Sequence, residues 1–170
     1  EGAPGPSVSV VPFTGDGDLE VDGDPDALRQ LLLALVDNAI KYTPPTGSVT
    51  LALSAGRVET PRVLGAGDSG GEAVASARLA NVARLSVIDT GMGIGADDLP
   101  HVFERFFRAD RARTVAGSGL GLSIARWITE SHGGSITVES SVGGGSMFTV
   151  TLPARRIEPV GGPDADTSSH

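Results

Sequence analysis

The residues DPDALRQLLLALVDNAIKY, at positions 24–42, carry the clearest structural signal of the sequence. Asp24 can cap a helix by accepting backbone amides, Pro25 suits the first helical position, and Asp26 complements the helix dipole. We therefore predict a core-forming helix from Pro25 to about Tyr42, ended by a pair of prolines. Its apolar residues recur at helical spacing and form one wide stripe, made of Leu28, Leu31, Leu32, Leu35 and Ala39.

Short runs of aliphatic and β-branched residues on both sides of this helix predict the strands of a sheet. The predicted strands are 7–13 and 19–21, paired as a hairpin, then 49–53 and 83–88, and finally a hairpin of 135–139 with 146–152. Further helices are predicted near 97–107 and over 119–131, the latter with Leu120, Ile124, Trp127 and Ile128 on its apolar face. Because strands and helices do not alternate strictly, we expect an α/β (α+β) two-layer sandwich: a mixed, mostly antiparallel sheet covered on one face by about three helices.

The chain of 170 residues has the length of one domain, which we place at residues 7–153. Residues 1–6 are predicted to be a flexible start, and the Pro-, Gly-, Asp- and Ser-rich residues 154–170 a disordered tail. Residues 55–78 are rich in Gly, Ala and Ser without periodicity, so we predict a flexible insertion rather than a catalytic segment. The basic, glycine-ended residues 105–118 are the predicted moving loop.

The composition excludes several classes of function. A net charge of −8 argues against binding to nucleic acid, because phosphate contacts need clustered Lys and Arg. The absence of cysteine excludes disulfides and thiolate metal sites, and no apolar run approaches the ~20 residues that span a bilayer. The first residue is not methionine and no signal-peptide pattern follows, so we expect a fragment of a longer protein, placed in the cytosol.

Polar side chains near the end of the first helix form one candidate site. Asn38, Lys41 and Tyr42 are three and four residues apart, so they project from neighbouring parts of one helical face. An amide oxygen can bind Mg²⁺, which keeps most of its water and phosphate ligands, and a lysine beside it can neutralise phosphates. The alternative is that these residues form only the polar edge of a core helix, and for such a group taken alone that alternative is favoured.

A second candidate site follows the predicted strand 83–88, where residues 89–94 read DTGMGI. The carboxylate of Asp89 at the end of a hydrophobic strand can accept a hydrogen bond from an exocyclic amine. Gly91 and Gly93 would let the backbone approach a flat ring closely. Taken alone, the same residues also fit an ordinary Asp-Gly turn.

Two further segments lie around the predicted moving loop. Residues 103–108, FERFFR, hold three of the five phenylalanines, which can anchor in the core, and end with Arg108, which could swing onto a phosphate. Glycine-rich residues then lead into the last helix, whose first amides and dipole favour phosphate. They do not form a dinucleotide fingerprint, since no strand precedes them, nor a Walker A motif, since no lysine follows the glycines. These residues are Gly117, Ser118, Gly119, Leu120 and Gly121.

In this order, the segments closely resemble the motifs of the histidine kinase branch of the Bergerat-fold ATPases, also called the GHKL superfamily. Each motif is ambiguous alone, but four of them in the same order and at fitting separations are improbable by chance. The resemblance runs from about residue 8 to 152 and implies a Bergerat fold. Residues 38–42 are similar to the N box, 89–94 to the G1 box, 103–107 to the F box and 117–122 to the G2 box.

The resemblance implies ATP and Mg²⁺ as cofactors and a role for each matching residue. Asn38 matches the asparagine that binds Mg²⁺, and Asp89 matches the aspartate that recognises the adenine amine. Lys41 and Tyr42 match residues beside the phosphates and the ribose, and residues 105–118 correspond to the ATP lid. The expected catalytic residues are Asn38, Lys41 and Arg108, and the other expected nucleotide contacts are Tyr42, Asp89, Gly91, Gly93, Ile94, Gly117, Ser118, Gly119, Leu120 and Gly121.

One residue departs from the family pattern. Family members often carry a polar residue one helical turn before the Asn38 position, and ATP-hydrolysing relatives such as gyrase have a glutamate base there, where this chain has Ala34. Alanine cannot activate water. The departure fits a domain that hands its phosphoryl group to a protein side chain, and it also removes one possible metal or water contact.

The resemblance implies the ATP-binding catalytic domain of a two-component sensor histidine kinase. Such a domain donates the γ-phosphoryl to a histidine on a separate dimerisation domain, for relay to an aspartate of a response regulator. None of His101, His132 and His170 lies in a segment that resembles the acceptor motif, so we expect the acceptor outside this chain.

The expected partners are therefore ATP, the dimerisation and phosphoacceptor domain, and a response regulator. We expect the fragment to be a monomer and the parent kinase a homodimer anchored in a membrane, with this domain on the cytoplasmic side. A serine kinase of the anti-sigma-factor type and a non-catalytic nucleotide-binding module are the alternatives.

Overall fold

The computed structural model describes residues 5–15, 18–60, 78–109 and 118–157. Two α-helices, Pro25–Tyr42 (α1) and Gly121–Ser131 (α2), accompany one 3₁₀ turn, Leu99–His101. A two-stranded ribbon joins Asp18–Glu20 (β2) to Arg155–Ile157 (β7). The main sheet has five strands in the order β1-β3-β4-β6-β5, namely Ser7–Thr14 (β1), Ser48–Thr60 (β3), Arg78–Asp89 (β4), Ser135–Ser141 (β5) and Gly145–Pro153 (β6).

The sheet is mixed, as predicted, because β1 runs parallel to β3 while the other neighbouring strands are antiparallel. The α1 helix lies over β3 and β4, and α2 lies over β5 and β6, so both helices cover the same face. The predicted two-layer sandwich is confirmed, although the described residues contain two α-helices rather than about three.

Capping chemistry defines α1 as predicted. The Asp24 carboxylate accepts the amides of Asp26 at 2.9 Å and Ala27 at 3.4 Å, which satisfies donors of the first turn. At the other end, Thr43 Oγ1 donates to the carbonyl of Ala39 at 2.7 Å. No helix of the described residues is both long and apolar enough to cross a membrane.

The core lies between the two helices and the covered face of the sheet. Phe148 of β6 is fully buried at its centre, and the ring of Phe103 meets it edge-on with the centroids 6.3 Å apart. Phe103 therefore anchors its segment in the core, but Phe106 is 70% exposed, so the prediction that the phenylalanine cluster anchors in the core is confirmed for Phe103 and wrong for Phe106. The largest other buried side chains are Leu31, Leu35, Ile128, Val49, Val87 and Val150.

The predicted hairpin of the first two strands is wrong. β1 pairs with β3, with Val8 opposite Val49, and β2 pairs with β7 through an ion pair of Glu20 and Arg155 at 2.8 Å. Tertiary context rather than proximity in sequence decides which strands pair, so the short turn between β1 and β2 does not join them as a hairpin. The same ribbon corrects the predicted disordered tail, because residues 155–157 form a strand, while 158–170 lie outside the described residues.

The strands β3 and β4 are longer than predicted and pair continuously until Thr60 lies opposite Arg78. Residues 55–60 and 78, predicted as part of a flexible insertion, therefore belong to the sheet. Backbone hydrogen bonds between two long antiparallel strands outweigh the low strand propensity of Gly and Ala. The remainder of the predicted insertion, 61–77, lies outside the described residues.

The helix predicted near 97–107 is also wrong, since only the 3₁₀ turn Leu99–His101 is present there. Phe106 has a φ of 63°, a left-handed conformation that interrupts any helix. In α2, Trp127 is 65% exposed although we placed it on the apolar face. It lies roughly 200° around the helix from Ala125, which is fully buried.

Two leucines of α1 provide a matched test of this packing. Leu35 is 0% exposed and Leu33 is 52% exposed. Leu35→Ala should lower the free energy of unfolding by about 3 kcal/mol, since it leaves a cavity, whereas Leu33→Ala should change it by less than about 1 kcal/mol. Urea unfolding of both variants measures the difference, and equal losses would contradict the assigned face of α1.

Candidate functional site

A cleft of about 790 Å³ opens between the end of α1, the loop after β4 and the start of α2. It brings together residues that the sequence only suggested separately. Gly91 and Leu120 do not line it, and Gly117 lies outside the described residues. The predicted site residues that line the cleft are Asn38, Lys41, Tyr42, Asp89, Gly93, Ile94, Arg108, Ser118, Gly119 and Gly121.

Asp89 lines the cleft and is the last residue of β4. Only 5% of it is exposed, and its Oδ1 accepts the amide of Gly91 at 2.8 Å. Ser146, opposite it on β6, adds hydrogen bonds from its backbone and its hydroxyl. Burial raises the pKa of the Asp89 carboxyl above its ordinary value, and these hydrogen bonds from Gly91 and Ser146 oppose that rise.

Close backbone approaches shape the loop that follows Asp89. A Cβ on Gly91 would collide with the carbonyl of Tyr42, and Met92 donates its amide to that same carbonyl at 3.2 Å. Gly93 has a φ of +68°, and a Cβ there would collide with the carbonyl of Ser141. The loop is therefore held between α1 and the β5–β6 turn, which explains both glycines.

The α1 side of the cleft carries Asn38, Lys41 and Tyr42, with Ala34 one turn earlier. The Lys41 ammonium lies 4.8 Å from the centre of the Tyr42 ring, a cation–π contact that keeps its charge beside the cleft. In the described parts of the chain, no group of three His, Asp or Glu side chains could hold a metal ion. The Asn38 amide oxygen is a donor in the cleft that could bind Mg²⁺ together with oxygens of a ligand, since Mg²⁺ needs few protein ligands.

The opposite wall is the start of α2. Gly119 has a φ of +71°, and its carbonyl accepts the amide of Phe106 at 3.0 Å, so the two ends of segment 106–119 are joined at this point. Gly121 begins α2 facing the cleft, and no atom lies within 4 Å of where its Cβ would be. The start of α2, where free amides and the positive end of the helix dipole favour anions, thus lines the cleft.

Several lining residues were missed in the sequence. Ser146 is the most important, because it is buried and hydrogen bonded to Asp89. It lies in register with Asp89, and the sequence marked its position only by the three glycines directly before it. Met92, Val142, Asp97, Asp98, Asp37 and Leu122 also line the cleft.

The burial of Asp89 predicts a specific dependence of stability on pH. Because its pKa is raised in the folded state, the folded chain holds this proton more tightly than the unfolded chain does. Its contribution to stability therefore increases as the pH falls through the raised pKa towards the ordinary value. We expect the stability of Asp89→Asn relative to the wild type to decrease as the pH is lowered from neutral towards about 4, the ordinary pKa of an aspartate, in urea unfolding. A relative stability that increases on acidification would contradict the assigned burial.

Comparisons with known proteins agree with this arrangement. The model of the family of histidine kinase-, DNA gyrase B- and HSP90-like ATPases matches residues 23–156. The sensor histidine kinase RppB of Synechocystis is 38% identical over 139 residues, which cover 81% of this chain and 26% of RppB. WalK of Bacillus subtilis, also a sensor histidine kinase, is 36% identical over 140 residues, covering 81% of this chain and 20% of WalK. The chain thus spans about a quarter or less of these two relatives.

Solved structures show the same likeness. The mycobacterial sensor histidine kinase MprB has a TM-score of 0.66 at 29% identity, covering 89% of this chain and 85% of that structure. Full-length ShkA in complex with AMPPNP has a TM-score of 0.61 at 25% identity, covering 89% of this chain and 27% of that one. The chain therefore belongs to the family of histidine kinase-, DNA gyrase B- and HSP90-like ATPases, as a domain of the sensor histidine kinase type.

Proposed function

We propose that this chain binds Mg-ATP and donates the γ-phosphoryl to a histidine of a separate dimerisation domain, for relay to a response regulator. The observation that carries the proposal is the buried Asp89 carboxylate that lines the cleft, with the cations Lys41 and Arg108 lining the same cleft. A buried hydrogen-bond acceptor and nearby positive charges match a ligand that carries both an amine-bearing ring and a polyphosphate. ShkA, whose structure contains the ATP analogue AMPPNP, supports this assignment.

Asp89 would recognise adenine. Its Oδ1 already accepts the Gly91 amide, and a carboxylate has further lone pairs for the exocyclic amine. The neighbouring apolar side chains Met92, Ile94 and Val142 line the cleft and can contact the faces of the ring. Gly93 keeps the backbone close enough for a flat ligand.

The remaining cleft residues would hold the triphosphate. Lys41 and Arg108 neutralise charge, and the amides at the start of α2 around Gly119 and Gly121 donate to phosphate oxygens. Asn38 would bind magnesium through its amide oxygen, and the ion, when bound, neutralises charge on the phosphates. Ser118 lines the same wall, and Gly117, outside the described residues, belongs to this proposed cradle.

Transfer to a protein acceptor rather than to water fits the side chains of the cleft. Phosphoryl transfer depends mostly on positioning and charge neutralisation, in which the bond from the γ-phosphorus to its bridging oxygen breaks as the bond to the acceptor nitrogen forms. Ala34 lines the cleft at the position where hydrolytic relatives would carry a base, and a methyl group cannot take a proton from water.

The acceptor is proposed to belong to the parent protein. Among the described residues, His101 contacts Glu104 at 2.7 Å and His132 is hydrogen bonded through both ring nitrogens, and neither ring lines the cleft. We infer a homodimeric, membrane-anchored parent kinase with this domain in the cytoplasm, monomeric when isolated. A response regulator would then be the final partner.

Removal of the Asp89 charge should weaken nucleotide binding selectively. Asp89→Asn is expected to raise the Kd of a non-hydrolysable ATP analogue about 10- to 100-fold in calorimetry, since it removes a charge-assisted hydrogen bond. The wild type should also bind a GTP analogue poorly, because a carbonyl replaces the adenine amine. Glu130→Gln, an exposed change on α2, is the matched control and should bind as the wild type does. Equal affinity of the Asn variant and the wild type would remove Asp89 from adenine recognition.

Labelled ATP tests the transfer itself. The chain is mixed with the purified dimerisation and phosphoacceptor domain of its parent, and we expect acid-labile phosphate on that domain and none on this chain. Asn38→Ala should reduce the labelling by at least about 100-fold, because phosphate positioning is lost. Acid-stable phosphoserine would instead indicate a serine kinase, and stable labelling of this chain alone would contradict the proposal.

A further inference from the structure

The α1 and α2 helices lie antiparallel, with the cleft at one end of the pair. Asn38 in the last turns of α1 and Gly121 in the first turn of α2 both line the cleft. At the other end, the N-cap residue of α1, Asp24, meets the C-cap residue of α2, His132. We call this contact the helix junction.

The imidazole of His132 makes a direct hydrogen bond across the helix junction. Its Nε2 accepts the backbone amide of Asp24 at 3.1 Å. Its Nδ1 lies 2.7 Å from the carbonyl of Ile128 in α2. A carbonyl can only accept, so Nδ1 carries the proton, and Nε2 must be bare to accept from an amide. Both ring nitrogens are thus in use, with Nδ1 donating and Nε2 accepting.

The surrounding backbone is shaped to this ring. A Cβ on Gly23 would lie 2.5 Å from His132 Cδ2 and 3.0 Å from Nε2, so any larger residue there would displace the imidazole. The φ of Gly23 is not in the left-handed region, which leaves the approach of the ring as the reason for a glycine. At the helix junction, the His132 ring is therefore packed closely against the backbone at Gly23.

We propose that His132 is a positioning residue for the nucleotide site: by joining the start of α1 to the end of α2, it sets the spacing of Asn38 and the α2 amides. This inference rests on the proposed function. With 18 residues, α1 is about 27 Å long, so a small rotation at Asp24 is carried to its other end as a displacement. A displacement on the order of 1 Å would lengthen hydrogen bonds to the phosphates beyond their usual range of about 2.7–3.2 Å.

A purely local cap would behave differently. It would lower the stability of the fold and leave nucleotide affinity unchanged, because the cleft would keep its shape in every folded molecule. Affinity measured on fully folded protein therefore separates the two roles. The position of the proton on the ring supplies a second, independent readout.

The test compares His132→Leu, which lacks both nitrogens, with His132→Gln, whose amide oxygen can accept the Asp24 amide. Calorimetry with an Mg²⁺-bound ATP analogue, at a temperature where circular dichroism shows each variant folded, should give about a fivefold higher Kd for the Leu variant. The Gln variant should recover most of the wild-type affinity. Arg126→Gln, an exposed change on the same helix, serves as the control and should leave the affinity unchanged.

Gly23→Ala keeps the imidazole of His132 but displaces it from the Asp24 amide, so this variant should also weaken nucleotide binding. It provides the test if the Leu variant does not fold. In ¹⁵N spectra of the wild type, we expect a proton on Nδ1 and none on Nε2. Wild-type affinity in both the Leu and Ala variants, or a proton on Nε2, would overturn the role of His132. Failure of the wild type to bind the analogue at all would instead remove the proposed function.

Discussion

The buried carboxylate of Asp89 is the constraint on which the rest of the site depends. Placing a charge at the end of a core strand is unfavourable unless hydrogen bonds surround it, and Gly91 and Ser146 supply them. The backbone of the loop after Asp89 and the backbone of the β5–β6 turn must then lie very close to each other. Gly145, with a φ of +78°, lies against the carbonyl of Asp89. Gly93 lies against the carbonyl of Ser141 in the β5–β6 turn. Glycine is needed at these positions because a side chain would collide with the neighbouring backbone. The fold, rather than the loop sequence alone, places the Asp89 carboxylate in a cleft as a hydrogen-bond acceptor.

The helix pair adds the second half of the site. The lining of the cleft carries two cations, Lys41 and Arg108, and four aspartates, in a chain of net charge −8. A bound polyphosphate would therefore need the helix-start amides of α2 and a metal ion in addition to these cations. These groups lie on different elements, so their spacing depends on how α1 packs against α2. The shared core of Leu35, Ile128 and Phe148 holds both helices against the sheet, and the proposed role of the His132 contact with Asp24 is to set their spacing.

The sequence predicted the parts of the fold that local chemistry decides. The bounds of α1 were correct because Asp24 and Pro25 mark its start and the apolar stripe is long. The pairing of β1 with β3 and of β2 with β7 could not be predicted, since strands distant in sequence carry no local signal of each other. Trp127 was misplaced because its spacing also fitted a second helical face, and Ser146 was missed because its role exists only through its register with Asp89.

A crystal structure of this chain with magnesium and a non-hydrolysable ATP analogue tests the central claim most directly. We predict the adenine amine within hydrogen-bond distance of an Asp89 oxygen, the metal on Asn38 Oδ1, and the phosphates between Lys41, Arg108 and the start of α2. An analogue bound outside this cleft, or with its ring turned away from Asp89, would contradict the assignment of the site.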